Sequence, residues 1–150
     1  GLSGGGKGTL TASQVLVGDI NDLAIDVYCD EAGLHWRQEE PNHMTYRRNG
    51  HPHAIYTRDP NAPYPNESGK AACRLPSGHP EAFFEAFANI YRAAFDNMAL
   101  RASGQKFETT NTVYPNINDG VEGMFFIQQC VASSASNGAW ISLRHPRARK

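Results

Sequence analysis

The sequence predicts an α+β fold in which several strands come first and two long helices follow. Apolar and polar residues alternate in the N-terminal part, whereas from residue 80 onward the apolar residues recur every three or four positions. A segment rich in proline, asparagine and glycine separates the two patterns. Runs of strands followed by helices favour an open, mostly antiparallel β-sheet with two main helices packed on one face.

Two alternating stretches at the start of the domain predict a β-hairpin. Residues 9–17 (TLTASQVLV) are rich in β-branched side chains, and residues 23–30 (LAIDVYCD) alternate again. Gly, Asn and Asp between them supply turn residues. We therefore expect these two strands to pair antiparallel to each other.

Shorter strands are predicted at residues 33–37, 44–48 and 54–58, each bounded by Pro, Asn, Gly or Asp. Residues 58–70 (RDPNAPYPNESGK) predict a long loop without regular structure. A final short strand is predicted at residues 139–143 (AWISL).

A first long helix is predicted over residues 80–103, where the apolar residues share one broad stripe. Pro80 suits the first helical position, because its fixed φ fits and its missing N–H is not needed there. Glu81 would lie in the first turn, which the helix dipole favours. Gly104 suits the residue just past the end.

A second long helix is predicted over residues 116–136. Asn116 and Asp119 have the spacing of a capping box, with Asp in place of the usual Glu. Asn137 and Gly138 would end the helix.

Composition and charge exclude some classes of function. The 150 residues suffice for one domain, and 14 basic against 15 acidic residues give a net charge of −1. A net charge this close to zero does not indicate binding to nucleic acid or anionic lipid. Residues 144–150 are interpreted as a solvated basic tail. The sequence shows neither a signal peptide nor a transmembrane stretch. Cys29 and Cys130 lie in apolar stretches and are expected to be buried free thiols, which are typical of a reducing compartment. A cytoplasmic location is therefore expected.

Common catalytic and cofactor motifs are absent from the sequence: there is no GxGxxG in a βαβ context, no P-loop and no HExxH. His51 and His53 would face the same side of a strand, but no third metal ligand follows at a recognisable spacing, so no metal site is predicted. The adjacent carboxylates Glu39 and Glu40 are more typical of surface charge than of an acid–base pair. Ser13 is interpreted as a strand residue, and Trp36 and Trp140 as core aromatics.

His79, before Pro80, allows two interpretations. It could cap the helix or form a hydrogen bond with a neighbouring loop. Alternatively, it could face a substrate, because helix N-termini present free N–H groups that suit polar or anionic ligands. The first interpretation is favoured; His79 is nevertheless the one substrate-facing candidate.

The stretch LPSGHPEAFFEAFANIYRAAF, followed by YPNINDGVEGMFFIQQCVASSASNGAWISL, resembles the C-terminal part of the glucose-fructose oxidoreductase, inositol dehydrogenase and rhizopine-catabolism (Gfo/Idh/MocA) family. GGGKGTLTASQV and LAIDVYCDEAGLHWRQEEPN are similar to sheet strands of the same domain. The resemblance extends over residues 5–143. Within this frame, residues 9–143 form the single α+β domain, and the glycine-rich residues 1–8 resemble the turn of a truncated hairpin.

The resemblance implies an NAD(P)-dependent oxidoreductase of sugars or polyols, whose intact members have a Rossmann domain and a second, sheet-containing domain. The Rossmann half, its E-K-P lysine and the helix with the catalytic Asp and His have no counterpart in this sequence. No catalytic or cofactor-binding residue is therefore assigned, no cofactor is expected on this chain, and catalysis by it alone is not expected.

Three hypotheses follow. In the first, the chain is the substrate-binding and oligomerisation domain of such an enzyme, forms a homodimer or higher homo-oligomer through a sheet face or edge, and takes a sugar or polyol ligand. In the second, it is a stand-alone small-molecule-binding or protein-interaction module. In the third, which is disfavoured, it is a cofactor-free enzyme using His79 with Glu39 or Glu40.

Overall fold

The computed structural model describes residues 4–106 and 113–143, so residues 1–3 and the tail at 144–150 lie outside the described residues. The chain divides into two units, Gly1–Ala82 and Phe83–Lys150. The first unit contains an antiparallel sheet and a short helix, and the second contains two long helices. The prediction of an α+β fold with an open antiparallel sheet and two main helices is confirmed.

The sheet has four strands: β1 (Ala24–Tyr28), β2 (Ala32–Arg37), β3 (His43–Arg48) and β4 (Ala54–Thr57). Each strand pairs antiparallel with the next, so the spatial order β1-β2-β3-β4 equals the order in sequence. The predicted strands at residues 33–37, 44–48 and 54–58 agree with β2, β3 and β4 to within one residue at each end. Short turns between them keep every pairing local.

The strand register separates the sheet into a polar and an apolar face, because residues directly opposite each other share a face. The polar face carries Ala24, Asp26, Tyr28, Gly33, His35, Arg37, His43, Thr45, Arg47, Ile55 and Thr57. The apolar face carries Ile25, Val27, Ala32, Leu34, Trp36, Met44, Tyr46, Arg48, Ala54 and Tyr56. Alternation in the sequence is thus realised as two chemically distinct surfaces.

The predicted hairpin between residues 9–17 and 23–30 is wrong. Residues 9–17 form no strand, and β1 pairs only with β2 among the described residues. Val15 is 83% exposed and Val17 fully so. A strand needs a neighbouring strand that pairs with its backbone N–H and C=O groups. Alternation of apolar and polar residues shows which segment could form a strand, but it does not show whether such a neighbour exists.

The C-terminal segment gives a similar correction. Residues 139–143 form no strand, and Trp140 is fully exposed rather than part of a core. Trp36, by contrast, is half-buried, and its indole N–H donates to the carbonyl of Pro41 at 3.1 Å. Cys29 and Cys130 are free but exposed, because Cys29 lies at the β1–β2 turn and Cys130 on a helix without buried residues.

A short helix, α1 (Glu67–Ala72), interrupts the predicted loop of residues 58–70. The side chain of Asn66 caps it by accepting a hydrogen bond from the backbone N–H of Gly69 at 2.9 Å. Lys70 pairs with Glu67 one turn earlier at 3.1 Å. The density of prolines before Asn66 suggested a loop throughout, and the cap and this pair explain why the last residues become helical.

The first long helix, α2 (Phe83–Ala102), begins after Pro80 and Glu81, not at them. Pro80 is therefore not its first residue, and Glu81 is not in its first turn, where Glu85 lies instead. The predicted end is confirmed. Gly104, at φ +76°, and Gln105 donate backbone hydrogen bonds to Arg101 and Leu100, which is the Schellman pattern.

The second long helix, α3 (Ile117–Ala135), confirms the predicted capping box. The carboxylate of Asp119 accepts from the backbone N–H of Asn116 at 2.7 Å, and the Asn116 side chain accepts from the first turn. Asn137 and Gly138 adopt the positive φ expected after the helix end. No helix in the described ranges is long and apolar enough to cross a membrane.

No hydrophobic side chain within the described ranges is buried. The apolar face of the sheet and the apolar residues of both long helices all remain accessible, among them Ile25, Phe87 and Val131. Such extensive accessible apolar surface is unusual for an isolated domain, and is typical of a surface that contacts another surface.

Candidate functional site

The segment around His79 is held to the sheet by the guanidinium group of Arg58, the first residue after β4. Nη1 of Arg58 donates to the carbonyl of Leu75 at 2.8 Å, and Nη2 donates to that of Pro76 at 3.3 Å. Nη2 also donates to the carbonyl of His79. A tight turn from Pro76 to His79 brings these carbonyls to one side of the backbone. Gly78 adopts the positive φ of +82° that this turn requires.

Glu81 completes this arrangement. It is 6% exposed and is the only buried residue within the described ranges. Its Oε2 lies 2.6 Å from Nη1 of Arg58 and accepts from the backbone N–H of Leu75 at 3.1 Å. Its Oε1 accepts from the backbone N–H of Arg74 at 2.7 Å. Three donors thus hold this carboxylate in its position.

Asn42, immediately before β3, links the two charged groups. Its side-chain oxygen accepts from Nε of Arg58 at 3.0 Å and from the backbone N–H of Glu81 at 3.1 Å. Its backbone carbonyl accepts from the N–H of Arg58 at 2.8 Å, which extends the β3–β4 pairing by one step. We call Asn42, Arg58 and Glu81 the anchor cluster, since it fixes the path of residues 74–81.

His79 itself contributes its backbone to the anchor cluster, while its imidazole is exposed. Nδ1 of the ring lies 3.3 Å from the carbonyl of Ser77, a hydrogen bond when that nitrogen carries the proton. This contact lies within the same turn, so the favoured interpretation, a helix cap or a hydrogen bond with a neighbouring loop, stays a prediction. The substrate-facing role of the ring stays a prediction.

The other candidate residues are not brought together with His79. Oε1 of Glu39 accepts from the backbone N–H of Asp22 at 3.2 Å, and Glu40 lies 3.8 Å from Nδ1 of His43. Neither carboxylate contacts His79, so the structure assembles no acid–base pair from these residues. Ser13 lies in an exposed non-helical, non-strand segment and accepts from the N–H of Val15.

A concave region lies at one end of the sheet, between the β1–β2 and β3–β4 turns. This sheet-end cleft has a volume of about 430 Å³ and is lined by residues from Tyr28 to Leu34, from Arg47 to His51, and by His53. His51 and His53 both line this cleft, but neither lies on a strand, since β4 begins at Ala54, so they do not form the expected pair on one side of a strand. No group of three metal-ligating side chains exists in the part of the chain that the structure describes.

Arg47 is the cleft residue that the sequence analysis missed. Its Nε atom is buried and has no hydrogen-bond partner within the described residues. The sequence contained a signal, since two adjacent arginines are followed by two histidines within a few residues. That signal is weak, because basic residues near a turn are more often solvated surface charge.

The polar face also contains a cross-strand pair. Nδ1 of His35 lies 2.8 Å from the carboxylate of Asp26 directly opposite, and both are partly exposed. At the end of the same strands, Arg37 contacts Asp22 at 2.7 Å. These pairs make the polar face a fixed, charged surface over β1 and β2.

Comparisons with known proteins point to oxidoreductases. No protein-family model matches the sequence. The chain is 31% identical over 142 residues to the uncharacterized oxidoreductase YfiI of Bacillus subtilis. The aligned region covers 93% of this chain and 35% of that protein. It spans about a third of the length of this relative.

Solved structures give the same result. An oxidoreductase from Sinorhizobium meliloti is 38% identical, with a TM-score of 0.74 over 87% of this chain and 35% of its own. An oxidoreductase from Pseudomonas syringae is 30% identical, with a TM-score of 0.76 over 88% and 35%. An inositol dehydrogenase homologue from Azotobacter vinelandii, in complex with NADH and myo-inositol, is 28% identical, with a TM-score of 0.68 over 87% and 34%. The chain is therefore similar to one part of dehydrogenase-like oxidoreductases.

Proposed function

We propose that this chain is the substrate-binding and oligomerisation domain of a Gfo/Idh/MocA-like, NAD(P)-dependent sugar or polyol dehydrogenase. The observation that supports this most directly is the similarity to oxidoreductases along nearly the whole chain, at 38% identity and a TM-score of 0.74 for one of them. The inositol dehydrogenase homologue in complex with NADH and myo-inositol suggests a polyol as the ligand class.

In this proposal the dinucleotide binds outside residues 1–150. Hydride transfer needs a nicotinamide held against the substrate, and the sequence has no dinucleotide-binding motif in a βαβ context. The chain alone would then supply the sheet and the two long helices, but not the redox centre.

We expect NADH, NAD⁺, NADPH and NADP⁺ to leave the melting temperature of this chain unchanged. A ligand that binds only the folded state raises stability with its concentration, by about 2.7 kcal/mol at one hundred times its Kd. Differential scanning fluorimetry with each nucleotide at millimolar concentration measures this. A clear, saturable rise with any of them would contradict the proposed division of labour.

The alternative is a stand-alone small-molecule-binding or interaction module derived from such a domain. The sheet-end cleft favours it, because this cleft is formed entirely within the first unit. Myo-inositol titrated into the chain without any nucleotide separates the two ideas. Stabilisation by the polyol alone supports the module, whereas a requirement for the longer, dehydrogenase-like protein supports the domain.

A further inference from the structure

The outer side of β1 carries backbone groups that are available for pairing. Leu23 accepts a backbone hydrogen bond from Gln38, and Cys29 donates one to Ala32, both across the β1–β2 pairing. Because successive strand residues point these groups to opposite sides, the alternate residues between Leu23 and Cys29 face outward. The outward N–H and C=O groups, which no described residue pairs with, belong to Ala24, Asp26 and Tyr28. We call these groups the β1 edge.

Residues 9–17 have the composition of a strand that fits such an edge. The segment TLTASQVLV contains no charged residue, no proline and no glycine, and it is rich in β-branched side chains. Every residue in it is exposed, and it forms no strand. A neutral segment with these properties pairs readily with an open sheet edge, because each hydrogen bond satisfies one group on either side.

The contacts of Asp22 indicate which copy of the segment reaches the β1 edge. Asp22, at φ +41°, bends the chain just before β1. Its carboxylate accepts from Arg37 at 2.7 Å, and its backbone N–H donates to the carboxylate of Glu39 at 3.2 Å. Both partners lie at or after the end of β2, on the side of β1 away from its edge. The chain that enters β1 is thus held towards β2, whereas the segment of a second copy reaches the edge with these contacts intact.

Charge distinguishes between two ways in which a second copy could use this edge. If β1 paired with β1 of the second copy, the two-fold axis that satisfies all the edge groups would pass through Asp26, the middle one of the three residues. Two Asp26 carboxylates would then lie directly opposite each other, which is destabilising. Segment 9–17 is uncharged and places no like charge beside Asp26.

We propose that two copies of this chain exchange residues 9–17, and that each copy adds this segment as a new strand next to β1 of the other. The exchange rests on the oligomerisation role proposed above and names the contact that carries it. It is two-fold symmetric and uses only the sheet edge, so the apolar face stays free for a further contact.

Hydrogen exchange of the edge amides measures this pairing. In the full chain, the N–H groups of Ala24, Asp26 and Tyr28 should exchange about tenfold more slowly, or slower still, at protein concentrations where the chain is dimeric than where it is monomeric. Isotope-filtered NOEs in an equal mixture of ¹³C,¹⁵N-labelled and unlabelled chain should join these amides to residues 9–17 of the other copy. A contact through the apolar face gives the edge amides no acceptors, so it produces neither result.

Proline at both Ala12 and Ser13 tests the segment, because adjacent strand residues point their N–H groups to opposite sides and one of the two must face β1. Ala12→Pro with Ser13→Pro should raise the protein concentration needed for half-maximal protection by about tenfold. Both residues are exposed and lie in no strand, so the fold should stay intact. Ala12→Ser with Ser13→Ala is the matched control, since it keeps both N–H groups and should leave the protection unchanged.

Other arrangements give different results. NOEs from residues 9–17 to β1 within one chain would overturn the exchange, as would NOEs between two β1 strands or an equal loss of protection in the control. A dimer whose edge amides exchange as fast as those of the monomer would also overturn it, but would leave the oligomerisation role intact. A chain that stays monomeric at all concentrations would contradict both.

Discussion

At the scale of single residues, the anchor cluster explains how residues 74–81 follow a fixed path without regular structure. The guanidinium of Arg58 donates to three backbone carbonyls, and the carboxylate of Glu81 accepts from two backbone N–H groups. Loop backbone that would otherwise need water as its partner is thereby satisfied by two side chains. His79 is positioned through its carbonyl, and its imidazole is exposed.

Glu81→Gln should lower the free energy of unfolding by about 1.5–3 kcal/mol, because the neutral amide loses the charge-assisted hydrogen bonds and places an N–H₂ group beside other donors. Arg58, whose side chain is 15% exposed, would lose its carboxylate partner. Urea denaturation followed by circular dichroism measures the change.

Glu67→Gln is the matched control. Glu67 is 91% exposed in its pair with Lys70, so this substitution should change stability by less than about 0.5 kcal/mol. Equal effects of the two substitutions would show that the anchor cluster contributes no more than a surface pair does.

The role of Glu81 could not be predicted from its neighbours in the sequence. Proximity to Pro80 suggested the first turn of a helix, where a carboxylate is favourable. The structure instead gives Glu81 partners from two distant segments, with Asn42 lying 39 positions away. Local patterns indicate helix ends well, but a tertiary ion pair competes with them and is not visible in local spacing.

At the scale of elements, the start of α3 and the end of α2 were the most predictable features, because their signals are local. Asn116 and Asp119 cap α3 as expected, and Gly104 ends α2. Strands that pair with a sequence neighbour, such as β3, were also predictable. Residues 9–17 have the same alternation as β1, yet form no strand, because pairing depends on a neighbour that the alternation does not specify.

Two glycines allow a test with opposite signs. Gly104→Ala should destabilise the chain by about 1 kcal/mol, because φ is +76° there and a Cβ is strained in that conformation. Gly123→Ala should stabilise it by about 0.5–1 kcal/mol, since Gly123 lies inside α3 and an added Cβ meets nothing within 4 Å. Thermal unfolding followed at 222 nm measures both. Two changes of the same sign would contradict the assigned helix boundaries.

At the scale of the whole molecule, accessible apolar surface is the dominant property. On the apolar face of the sheet, Ile25 is 57% exposed and Val27 is 42% exposed. Within the described residues no strand pairs with the outer side of β1, so the sheet has an open edge there, and residues 9–17 before it form no strand. Open edges and large apolar surfaces both promote association, so a second copy of the chain is the partner available in a pure solution.

We expect the isolated chain to self-associate through the apolar face, most simply as a two-fold dimer of the 16.5-kDa chain. Val27→Lys places a charge on that face and should shift the mass measured by light scattering towards the monomer, because burying an unpaired ammonium group is unfavourable. Ala24→Lys is the matched control on the polar face of the same strand. A monomeric parent chain at all concentrations would exclude the dimer. Dissociation by Ala24→Lys but not by Val27→Lys would instead place the contact on the polar face, where Asp26 and His35 already form a fixed charged surface against which a second copy could pack.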